Sequence, residues 1–175
     1  MTTYTDSQML SLWMDRLDLN PIHTGCSIQT VEGLDTESEI RRRMRQWYLN
    51  LLDTAPPSLL PVSENAMGTA LSSEGLFYRV ALPEATRRVV SVKAQGWLAA
   101  VAPLSADEAA ARLGRIASPF GRPGNNSPLA VYSDGALLVT PVNIPALDSL
   151  RLVLDPGPTV YTLDDSLLST IPTDL

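Results

Sequence analysis

The chain has 175 residues, enough for one domain with a buried core or one domain with a helical extension. It is 45% hydrophobic and 18% charged, with 14 prolines, which marks a folded chain with many irregular connections and excludes a disordered one. A net charge of -6 gives no global attraction for nucleic acid or an anionic membrane, and the one cysteine, Cys26, excludes an intrachain disulfide framework.

The opening residues Met1–Asp6 lack the basic and apolar regions of a signal peptide, and no apolar run reaches the length of a membrane span. The expectation is a soluble intracellular protein. Residues 5–17 read as a helix. Thr5 and Gln8 have capping-box spacing, and Met9, Leu12, Trp13 and Leu17 recur at helical intervals until Asn20-Pro21. Residues 20–34 read as a loop that holds a short strand near Ser27–Val31. A longer helix starts at a second capping box, Thr36-Glu37-Ser38-Glu39. Its apolar stripe is Ile40, Met44, Trp47, Tyr48, Leu51 and Leu52, and Pro56-Pro57 ends it. Glu37 and Arg41, and Glu39 and Arg43, stand in the favourable i,i+4 order.

Residues 53–74 read as an extended arm or mobile loop, because prolines 56, 57 and 61 give way to small and polar residues. From Gly75 the period changes to two. Leu76, Tyr78, Val80 and Leu82 form one face of a strand, and Val90, Val92 and Ala94 one face of the next, which closes at Gly96-Trp97. Ser105-Ala106-Asp107-Glu108 opens a short helix over 105–116. Asp134-Gly135 between two apolar runs predicts a hairpin. Leu150–Leu154 is a further strand, and residues 163–171 a last short helix capped by Asp164 or Asp165. Helices first and mostly antiparallel strands after them make the class α+β, with N-terminal amphipathic helices packed on a mostly antiparallel β-sandwich or barrel with long loops. The organisation expected is a helical region 1–55, a proline-rich connector 56–74 and a β-rich domain 75–175.

Candidate chemistry is sparse. The glycine-rich loop Ser118–Pro128 lacks the Lys-Ser/Thr of a phosphate loop, since the only lysine is Lys93, and it leads into a strand, not a helix. Gly121, Gly124, Asn125 and Asn126 are then expected to supply positive-φ turns, in a loop that is either plain surface or a contact element. His23, the only histidine, stands three residues from Cys26, but no helix fixes the pair and nothing marks an oxyanion hole. One His and one Cys do not make a zinc site, and the adjacent acids Asp107-Glu108 and Asp164-Asp165 read as helix starts. No catalytic residue, cofactor or metal is expected. Arg41, Arg42, Arg43 and Arg45 lie on the flanks and far face of the long helix. They read as a solvated face paired with Glu37 and Glu39, or as a basic face that meets an acidic face of the next copy in an assembly. Trp13, Trp47 and Trp97 read as core, with the helices of Trp13 and Trp47 packed together.

Leu82-Pro83-Glu84-Ala85-Thr86-Arg87-Arg88-Val89-Val90-Ser91-Val92-Lys93-Ala94-Gln95-Gly96-Trp97 resembles a segment of small virion proteins of tailed phages that infect gut Bacteroidales, including crAss-like phages. In those, Leu-Pro, a short linker, a Val-Ser-Val-Lys-like run, a small spacer and Trp recur. Gly121-Arg122-Pro123-Gly124-Asn125-Asn126-Ser127-Pro128-Leu129-Ala130 is similar to their Gly-x-Arg-Gly-Asn-Pro-x-x-Pro-Val loop before a hairpin, with the Arg-Gly-Asn order broken by Pro123 and Asn126 where proline is usual. The resemblance covers about residues 36–141. It implies a head-to-tail connector: a homo-oligomeric ring, often dodecameric, between the portal and neighbouring tail or neck proteins, with DNA only in transit, no membrane and no enzymatic residues. Arg41, Arg42, Arg43, Arg45, Gly121, Arg122, Gly124, Asn125 and Asn126 are the expected contact residues. An acidic ring would limit sticking of passing duplex. The alternative is a non-viral protein-interaction module with a helical arm and a β-sandwich.

Overall fold

The computed structural model describes residues 1–17, 19, 36–64, 71–113, 122–133 and 135–173. His23, Cys26 and the strand expected near Ser27–Val31 lie outside the described residues. The class is α+β, as the order of helical and alternating patterns implied. The chain divides into two compact units, Met1–Pro61 with Asp155–Leu175, and Val62–Leu154.

The first unit is built from both ends of the sequence. Strand β1 (Thr2–Thr5) pairs antiparallel with β9 (Val160–Leu163), from Thr2 opposite Leu163 to Thr5 opposite Val160. Thr5 ends the strand and also caps helix α1 (Asp6–Arg16). Its hydroxyl accepts from the Gln8 amide at 3.4 Å, and its own N–H donates to the Gln8 side chain at 2.9 Å. Helix α2 (Thr36–Thr54) buries Ile40, Met44, Tyr48, Leu51 and Leu52, which is the predicted stripe without Trp47. Trp13 is buried and Trp47 half-buried, and their rings meet edge to face with centroids 5.9 Å apart, so α1 and α2 pack as expected. Tyr48 fastens α2 to β9: its hydroxyl donates to the Thr162 carbonyl at 3.1 Å and accepts from the Thr162 N–H at 3.0 Å. Burial pushes this phenol up from its ordinary pKa. A 3-10 turn, Asp165–Thr170, follows β9, with Asp164 accepting from the Ser166 N–H at 3.1 Å.

The proline-rich stretch differs from the arm expected of it. Pro57–Leu59 is a 3-10 turn, Leu60 is fully buried, and Val62–Glu64 forms strand β2. Leu71–Glu74 forms strand β3. Nonlocal partners decide this: β2 pairs with β8 (Leu147–Leu154), far along the chain, and β3 with β4 (Phe77–Val80). The last residues also differ in company. Asp155–Leu175, read from the sequence with the β-rich region, belong to the unit that holds the N-terminal helices, because β9 pairs with β1.

In the second unit two antiparallel sheets face each other. One has the order β2-β8-β5, with β5 spanning Thr86–Ala94, and the other β3-β4-β7-β6, with β6 at Leu129–Ser133 and β7 at Ala136–Thr140. Val80, Val92, Ala130, Leu137, Val139, Leu150 and Leu152, drawn from both sheets, share one buried cluster. That makes a sandwich, and among the described residues the strands do not close into a barrel. The Asp-Gly hairpin forms, with Ser133 opposite Ala136 and Gly135 at φ 72°. Trp97 is buried beyond the end of β5, and its indole N–H donates to the Pro141 carbonyl at 2.6 Å. Helix α3 (Ala106–Leu113) lies on the outer face of the four-stranded sheet, where Ala109 packs with Leu129 and Val131. Ser105 and Glu108 form its capping box: the Ser105 N–H and hydroxyl donate to the Glu108 carboxylate at 3.0 and 2.9 Å and hold its pKa below the usual range.

A candidate protein-contact site

The arginines of α2 are engaged within the chain. Arg41 donates to Glu37 at 2.7 Å and also pairs with Asp6, the first residue of α1. Arg42 donates to both oxygens of Glu39, at 2.9 and 2.7 Å, and Arg43 shares one of those oxygens at 2.7 Å. Hydrogen bonds from Arg42 and then Arg43 lower the Glu39 carboxyl from 4.5 to about 2. Arg45 pairs with Asp155, and its guanidinium lies over the Tyr48 ring at 5.9 Å. The cluster expected to offer a basic face therefore spends its charge internally. A depression of about 330 Å³ lies beside it, lined by Trp13, Arg42, Arg43, Gln46, Trp47 and Pro172.

The glycine-rich loop behaves differently. Residues 118–121 lie outside the described residues; the loop from Gly124 to Ser127 is tied down. Gly124 and Ser127 exchange backbone hydrogen bonds at 3.3 and 2.9 Å, with Asn125 and Asn126 at the tip. The Leu98 N–H donates to the Asn125 carbonyl at 3.1 Å, and Arg112 of α3 donates to the Ser127 hydroxyl at 2.6 Å. The positive-φ role expected of Gly124 is not seen. Among the described residues the left-handed glycines are Gly75, Gly96, Gly135 and Gly157, and a Cβ on Gly124 would meet nothing within 4 Å. The reciprocal backbone bonds of Gly124 and Ser127 close the turn around Asn125 and Asn126.

The anchored loop forms one wall of a depression. Arg122 and Pro123 face Leu76, Phe77 and Thr140 across a volume of about 330 Å³. Phe77 and Leu138 belong to the outer, α3-bearing face of the four-stranded sheet. Leu76 does not continue the inward row of Tyr78 and Val80 as its spacing implied. Glu74 pairs directly with Phe77, so Gly75, at φ 63°, and Leu76 form a two-residue turn, and Leu76 is 77% exposed. Arg122 is exposed and has no ion pair or hydrogen bond among the described residues. Of the residues expected at a contact, the structure thus gathers Arg122, Gly124, Asn125 and Asn126 in one hydrogen-bonded loop and places Arg41, Arg42, Arg43 and Arg45 in the other unit. Leu76, Phe77, Pro123 and Thr140 escaped sequence reasoning. The signal for Leu76 was the glycine before it, which marks a hairpin tip.

Among the described residues no three His, Cys, Asp or Glu side chains gather as a metal site, and no helix is long and apolar enough to cross a membrane. No protein-family model matches the chain, and no curated protein matches it.

Proposed function

We propose that the chain is a structural, non-enzymatic subunit of a tailed phage, forming a homo-oligomeric ring at the head-to-tail junction. Portal and neck or tail proteins would be its neighbours, with DNA only passing through. The observation that carries this reading is the anchored loop with exposed Arg122 beside exposed Leu76. Arginine and apolar side chains held on a preorganised surface are what a protein contact needs, since little ordering entropy is lost on docking. The resemblance of residues 82–97 and 121–128 to phage connector proteins supplies the kind of assembly.

Sedimentation of a source lysate, with mass spectrometry of each fraction, tests it. The chain is expected to travel with DNA-filled particles beside portal and capsid proteins. A chain that stays at the size of a monomer while particles are present would remove the virion role and leave a soluble interaction module. Gly124→Val reads the loop directly. The site has room for a side chain, so the free variant should fold, and a lower assembly yield would then report the contact.

A further inference from the structure

Building on the reading of a contact protein, we infer that the depression at Arg122 takes an acidic–aliphatic peptide segment of a partner protein, with a carboxylate on the guanidinium and a bulky apolar side chain against Leu76, Phe77 and Pro123. Charge is the first ground. In the same unit Arg79, Lys93 and Arg151 each have a carboxylate, at 2.8, 3.2 and 3.7 Å, and Arg112 is held by the Ser127 hydroxyl at 2.6 Å, whereas Arg122 has neither an ion pair nor a hydrogen bond among the described residues. In a chain with 19 acidic and 13 basic residues, an arginine left without an acid is complementary to an acid from outside. A planar guanidinium meets a carboxylate through two parallel N–H bonds, so a single arginine suffices.

Shape is the second ground. About 330 Å³ holds one or two side chains and stands at the low end for a small-molecule pocket. A small ligand is mostly enclosed by its site, but here the rim residue Leu76 stands 77% exposed, as an apolar contact to another chain would require. Arginine is enriched among the residues that carry binding energy in protein interfaces, and phenylalanine is enriched there relative to the rest of the surface. The hydrogen bonds at Asn125 and Ser127 hold the loop in place before any partner arrives.

The test uses the full chain, isotopically labelled, and the probe acetyl-Gly-Leu-Asp-Leu-Glu-Gly-amide. Amide resonances of Leu76, Phe77, Arg122 and Gly124 should shift together on titration. The counterpart with Asn and Gln in place of the acids should bind at least about ten-fold more weakly, the worth of a charge-assisted hydrogen-bond pair. Arg122→Gln should lose a similar factor while the rest of its spectrum stays unchanged, and Leu76→Ala should weaken binding of both peptides. Absence of shifts at these residues, equal binding of the neutral peptide, or full binding by Arg122→Gln would each overturn the assignment. The ring reading fails separately. Peptide binding by a chain that never enters particles keeps this site and removes the ring; a chain found in particles that ignores the peptide keeps the ring and removes this site.

Discussion

Helix α2 and the Arg122 loop both carry arginine, and only one of them presents it. Arg41, Arg42 and Arg43 sit within a turn or so of Glu37 and Glu39, so helical spacing alone delivers each guanidinium to a carboxylate. Arg122 makes no ion pair or hydrogen bond among the described residues, while Gly124, Asn125 and Ser127 anchor its loop. A run of positive charge in a sequence is therefore a poor guide to positive charge on a surface. The isolated arginine, flanked by proline and glycine, is the more available one.

This contrast can be broken by substitution. The largest effect is expected for Arg45→Ala. The Arg45 and Asp155 side chains are only 21% and 22% exposed, so removing the cation leaves a largely covered carboxylate without it and strips the contact with Tyr48. About 2 kcal/mol should be lost in urea unfolding; a loss near zero would mean that the pair is only a surface ornament. Arg41→Ala should cost about 1 kcal/mol, because it parts α1 from α2 at Asp6 as well as losing Glu37. Arg42→Ala should be smaller still and should vanish in molar salt, which screens exposed pairs. The same cluster gives a pH signature. The Glu39 carboxyl is depressed from 4.5 to about 2, so its contribution is full above pH 4.5 and is lost as the pH falls through about 2. Melting curves of Glu39→Gln should accordingly show less loss of stability over that window than the parent. Arg122→Gln should change stability by less than about 0.5 kcal/mol. A large destabilisation there would show a hidden internal partner and erase the distinction between the two surfaces.

Much of the fold was legible where the information is local. The capping box at Thr5, the cap at Ser105, the apolar stripe of α2 and the Gly135 hairpin each depend on residues a few positions apart, and each appears in the structure. What was not legible depends on distant partners. Thr2–Thr5 looks like a leader to a helix until β9 lies beside it, and Val62–Glu64 like part of a proline-rich arm until β8 does. The candidate site divides the same way. The loop at Arg122 stood out by composition, but the meeting of Phe77 with Thr140 follows only from β4 lying beside β7 in the sheet.

The pairing of β1 with β9 also sets a timetable during synthesis. All residues of the sandwich, Val62–Leu154, have been made before any of β9 exists, while the helical unit waits for Val160–Leu163 to complete it. The nascent chain must therefore pass through an interval in which the tyrosine of α2 has no strand to clasp and its buried ring lacks the Tyr161 ring that packs against it. Apolar surface of that kind is what ribosome-associated chaperones hold. A ribosome stalled just short of β9 should then retain a bound chaperone, and one stalled beyond it should let the chaperone go.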